Sequence, residues 1–148
     1  MSRTVLVSSG PVNYGQTISV GPHKLQSDET PDVGGKDVGP DAQELLMASL
    51  GACATITVQM YAERHQFPLK GVQANLSHTR VLGHNSTDSG AAIGMVDQLE
   101  MEISFTGDLS DEQRNRLFEI ANHCPIHRLL TSGVKIHSRL LIPDASPQ

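Results

Sequence analysis

The chain has 148 residues, 38% of them hydrophobic and 18% charged, a size that fits one domain over residues 1–148. Sixteen Asp and Glu against eleven Lys and Arg give a net charge of −5 with no basic run, and aromatics are 3% with no Trp. That composition argues against nucleic-acid binding, which needs clustered cations or base-stacking platforms. Two cysteines, Cys53 and Cys124, are too few for a disulfide scaffold, and a chain this long buries enough surface to fold without one. Residues 1–8 hold no apolar stretch of signal-peptide length, so the expectation is a soluble, cytosolic protein with reduced thiols.

In chain order, Thr4–Val7 and Val12–Val20 read as strands, and Gly21-Pro22 as a turn leading to a short strand over His23–Gln26. An acidic Gly/Pro-rich loop follows from Ser27 to Pro40. Its Gly34-Gly35-Lys36 does not match the phosphate-loop spacing, and its acidic charge repels phosphate. After Pro40, Asp41 is a good N-cap and Glu44 suits a first turn, so a helix is expected to run to about His65. Leu45–Ala62 is an uncharged run of 18 residues, close to membrane-spanning length, but diluted by Ser49, Gly51, Thr55, Thr57 and Gln59. A helix apolar nearly all round is instead expected inside a large core, and about 37 Å of it is more than a small monomer encloses. A dimer that wraps the helix is therefore preferred over a membrane span.

Leu69–Val81 and Val96–Thr106 read as two extended stretches around a Gly/Ser/Asn loop over Gly83–Gly94. Ser110 and Gln113 form a capping box that opens an amphipathic helix, with Leu117, Phe118 and Ile120 inward. Cys124-Pro125 ends it and starts a short helix, Pro125 in first position and Cys124 as cap. Gly133 closes that helix, and Val134–Ile142 reads as a last strand. The order β-β-(β)-α-β-β-α-α-β defines an α+β domain with antiparallel sheets.

Chemistry centres on the cysteines. Cys53, among apolar residues of the long helix, reads locally as a small core hydrophobe. Cys124 faces unpaired N–H groups at a helix N-terminus, which lowers a thiol pKa, and His123, His127 and Arg128 stand near it in sequence. Its reactive and structural readings are left open. His123, Cys124 and His127 do not make a metal centre, because Pro125 breaks the helix that would align them and no CxxC or HExxH supplies further ligands. No metal or cofactor is expected. His23, His65, His78, His84 and His137 are read as surface or loop residues, Glu100 and Glu102 as a solvated strand face. No G-x-S-x-G elbow supports hydrolase chemistry.

From Gly39 through the Pro40…Glu44-Leu45-Leu46…Gly51-Ala52-Cys53 run, on through Met60-Tyr61-Ala62 and Ala121–Arg128, the sequence resembles the OsmC/Ohr family of osmotically induced and organic-hydroperoxide-resistance proteins. The resemblance covers about residues 20–140. It implies an intertwined homodimer, sheets from both subunits wrapping two long central helices. It also implies a thiol-dependent hydroperoxide reductase acting in oxidative-stress defence, with Cys53 peroxidatic and Cys124 resolving, and an external dithiol, in the family usually a lipoylated protein, as reductant. The family's peroxidatic members pair an arginine from an N-terminal strand with a helix glutamate. Here no Arg lies between Arg3 and Arg64, and the glutamate position falls on Gln43, next to Glu44, leaving Gln43 or Glu44 with Lys24, His23 or Lys36 as helpers. The competing reading is an OsmC-like binding module that holds a small hydrophobic molecule at the dimer interface with redox-silent thiols.

Overall fold

The computed structural model describes residues 3–84 and 93–143. In chain order it contains β1 (Leu6–Ser9), β2 (Gln16–Val20), β3 (His23–Ser27), a 3-10 turn (Pro31–Val33), α1 (Ala42–Arg64), β4 (Leu69–His84), β5 (Ile93–Gly107), α2 (Asp111–Ala121) and α3 (Pro125–Ser132). Strands β1, β2 and β3 form one antiparallel sheet, with Val7 opposite Ile18 and Ile18 opposite Leu25. Strands β4 and β5 form a second, with Leu76 opposite Met101 and His78 opposite Leu99. The expected loop over Gly83–Gly94 lies mostly outside the described residues.

Strand β2 starts later than its β-branched run suggests. Gly10 N–H bonds to the Gly15 carbonyl at 2.7 Å, and Asn13 takes a φ of 57°, so Val12–Tyr14 turns instead of extending. The Ser27–Pro40 loop is organised by Asp28, whose carboxylate accepts N–H bonds from Glu29 at 2.8 Å, Lys36 at 3.0 Å and Val38 at 3.4 Å. Burial pushes that carboxyl up, but the three N–H groups and the Lys36 charge outweigh it and hold the group below its ordinary 3.8. Within the Gly34-Gly35-Lys36 segment the Lys36 N–H thus serves the chain's own carboxylate, while the Gly34 and Gly35 N–H groups donate to the Pro31 and Thr30 carbonyls.

Helix α1 begins with a complete capping box: Asp41 accepts from Glu44 N–H and Glu44 accepts from Asp41 N–H, both at 2.8 Å. Leu50, Gly51, Ala54, Val58 and Ala62 form its buried stripe, spaced by three and four residues. The stripe lies on β4, and a Cβ on Gly51 would stand 2.8 Å from Leu76 Cδ1, so a glycine there brings helix and sheet close together. α1 passes a length-and-composition test for a membrane span, yet in this fold it is the core helix, packed on β4, α2 and α3. Leu109, Leu117, Ala121 and Cys124 close the core, and the cluster with its surrounding layer runs from Leu50 to Ile126. Sheet β1–β3 stands outside it, with Leu6, Val7 and Leu25 exposed.

Two expectations are corrected. Phe118 is 50% exposed, because the inward positions of α2 are Leu117, Ile120 and Ala121, and Phe118 lies about 100° round from Leu117. Residues 134–142 form no strand: among the described residues nothing pairs with them, and Ile136, Leu140 and Ile142 are more than 80% exposed. A strand without a partner gains no ladder hydrogen bonds, whatever its pattern. Replacing fully buried Leu117 by Ala is expected to cost about 2–5 kcal/mol in urea unfolding, against less than about 1 kcal/mol for Phe118→Ala.

Candidate active site

Helix α1 carries Cys53 one turn past Leu50, at the border between its buried stripe and an exposed, uncharged face that includes Ala52, Ile56 and Met60. Cys53 is partly exposed, whereas Cys124 is completely buried. Both are free thiols, and Cys53 stands near enough to Cys124 to act on its proton. The break at Pro125 places Cys124 there: as N-cap of α3 it has extended backbone, and its Sγ accepts the His127 N–H at 3.4 Å.

The predicted cap is present, but the predicted lowering of its pKa is not. Burial pushes the Cys124 thiol up and the adjacent Cys53 thiol adds to this, while the N–H groups of His127 and Ile126 pull down and are outweighed, so the group stays above 9.0. A helix N-terminus stabilises a thiolate that water also reaches; here the side chain has no exposed surface.

The two helper candidates on α1 separate. Glu44 is committed to the capping box and lies about 180° round the helix from Cys53. Gln43 lies about 80° from Cys53 and lines a cavity of about 480 Å³ between α1, the β4–β5 sheet and α3. His23 and Lys24 are exposed on β3, and the Lys36 charge stands near enough to Asp28 to lower its carboxyl pKa. Arg3 lies over the Gly21 turn.

The cavity also takes in His78, Asp97 and His127, which sequence reasoning did not bring together. His78 is not a surface residue: its side chain is 20% exposed, and its Nε2 lies 2.8 Å from Asp97 Oδ1. Arg80 Nε lies 3.6 Å from the same oxygen. The signal was the strand alternation. Val72, Ala74 and Leu76 of β4, and Phe105, Ile103, Met101 and Leu99 of β5, are inward and apolar, and the next positions in step are His78 and Asp97. Leu50 and His127 each stand one helical turn from a thiol, on α1 and α3. Geometrically, the site offers one accessible thiol, one enclosed thiol in contact with it, and a mostly apolar cavity alongside.

Fold and thiol pair together describe a small α+β protein built round a cysteine-bearing helix, and comparison with known proteins places that class. The sequence profile of the OsmC-like protein family matches residues 34–139, so the chain belongs to that family. Its fold is similar to that of an OsmC-like protein from Mycoplasma pneumoniae, at a TM-score of 0.69 and 14% identity over 88% of each chain. An organic hydroperoxide resistance protein OsmC from Legionella pneumophila superimposes at 0.63 with 16% identity, over 88% of this chain and 89% of that one. An organic hydroperoxide resistance protein from Elizabethkingia anophelis does so at 0.58 with 14% identity, over 86% of each. No curated protein matches the sequence.

Two outcomes test this geometry. Iodoacetamide is expected to label Cys53 well ahead of Cys124 in the native protein, the difference vanishing in urea, as read by peptide mass spectrometry. A thiol pKa raised by folding stabilises the protein in full below the unfolded value and loses that contribution as pH climbs through the folded one. Wild type should therefore lose stability relative to Cys124→Ala as pH rises above 9.0, measured by urea unfolding.

Proposed function

We propose that the protein is a thiol-dependent hydroperoxide reductase that acts as a homodimer in oxidative-stress defence, with Cys53 peroxidatic and Cys124 resolving. The observation that carries this reading is a partly exposed thiol, Cys53, packed on the core cluster that holds the fully buried thiol of Cys124. The Cys53 thiolate attacks one oxygen of the hydroperoxide; an S–O bond forms, the O–O bond breaks, and the departing alkoxide takes a proton to leave as alcohol. The sulfenic acid on Cys53 then meets Cys124. An S–S bond forms, the S–O bond breaks, and the hydroxyl leaves with the Cys124 proton as water. An external dithiol reduces the disulfide and is itself oxidised to a disulfide. Gln43, on the cavity side of α1, is the polar helper, and a reducing cytosol suits two free thiols.

Membership of a family with hydroperoxide-resistance proteins among its structural neighbours supports the chemistry. Homodimerisation draws on what one protomer leaves uncovered: the uncharged outer face of α1, the apolar residues of sheet β1–β3 and those of residues 134–142. A second copy is the simplest cover for so much apolar surface. A second reading, a binding module with redox-silent thiols, draws on the cavity of about 480 Å³.

Wild type mixed with an organic hydroperoxide and a dithiol is expected to consume peroxide, and Cys53→Ser to fall to the uncatalysed rate. Cys124→Ser should accumulate a sulfenic acid that dimedone traps. Equal consumption by wild type and Cys53→Ser, or two free thiols left after one equivalent of peroxide, favours the binding module. Light scattering should give twice the chain mass, and a monomer in dilute solution would remove the dimer.

A further inference from the structure

We infer that the His78–Asp97 pair is the specificity element of the cavity beside the thiols, and that the preferred hydroperoxide has an apolar body and a hydroxyl group at the end remote from the peroxide. This rests on the reductase reading above.

From Leu50 to Gln43 the cavity follows α1 for about 10 Å. At the Leu50 and His127 end it lies one helical turn from both thiols, and leucines of α1, β5 and α3 line its walls. Its other end is polar, with Gln43, Thr131 and the His78–Asp97 pair. That pair occupies the positions where the inward rows of β4 and β5 cease to be apolar. Asp97 is 67% exposed and is met by water, whereas His78, at 20%, gives up the apolar packing that Val72, Ala74 and Leu76 supply further along, and turns a polar ring edge to the cavity.

The hydrogen bonding selects what that is. Ionised Asp97 only accepts, so the His78 Nε2 at 2.8 Å carries the proton and donates. Nδ1 has no hydrogen-bond partner among the described residues. A hydroxyl both donates and accepts, so it pairs with that nitrogen in either state of the ring. A methyl end leaves Nδ1 unpaired, and a carboxylate end brings a second negative charge towards Asp97. Arg80 lies 3.6 Å from Asp97 and holds the carboxylate from its exposed side.

The test uses three hydroperoxides of equal chain length that end in methyl, hydroxymethyl and carboxylate. Wild type should show a kcat/KM about tenfold higher for the hydroxymethyl compound than for the methyl one, with the carboxylate lowest. His78→Leu should erase the hydroxyl preference, bringing the ratio of kcat/KM for the hydroxymethyl and methyl compounds to about one within that variant, and Asp97→Asn should weaken it. In parallel, Cys53→Ser protein is titrated with an α,ω-alkanediol and the matched alkanol, reading the ¹⁵N shift of His78 Nδ1. The diol should move it and the alkanol should not. Turnover without a hydroxyl preference, a preference that survives in His78→Leu, or a His78 signal unmoved by the diol would overturn the inference. A diol response with no turnover of any of the three compounds would strike the reductase reading instead.

Discussion

The fold depends on the close approach of α1 to the β4–β5 sheet at Gly51 and Leu76. A helix of 23 residues, uncharged from Leu45 to Ala62, presses one narrow stripe onto apolar strand positions, and the remaining helices are arranged by that contact. α2 adds Leu117 and Ala121 to the stripe, and the chain breaks at Pro125 so that α3 returns along α1. Both cysteines owe their positions to it. Cys53 rides at the edge of the stripe, and Cys124 is pressed against it from the N-terminus of α3.

Much of this was legible in the sequence, for local reasons. Asp41 with Glu44 and Ser110 with Gln113 carry their own start signals, and Pro125 and Gly133 carry stops, so the helix bounds need no tertiary information. Strands fared unevenly. The long β4 and β5 announce themselves by alternation and by pairing with each other, whereas residues 134–142 have the same pattern and no partner among the described residues. A strand is a property of two segments, and sequence pattern describes only one.

The site divides along the same line. The cysteines and their local settings could be read off, but not the electrostatic balance at Cys124, since the cap geometry is local and the burial that overrides it is set by α1. Gln43 and Glu44 are neighbours in sequence that helical rotation sends to different tasks, one to the cavity wall and one to the cap. His78 and Asp97 meet across two strands, nineteen residues apart, and only strand register joins them.

The enclosure of Cys124 bears on selectivity. A thiol with no surface is closed to electrophiles, metals and oxidants that diffuse through solvent, yet it keeps the Cys53 thiol as a near neighbour. Its raised pKa makes the same distinction, because the proton stays on until a reacting neighbour draws it off. On the reductase reading, the packing of α3 on α1 thereby leaves the resolving thiol a single correspondent.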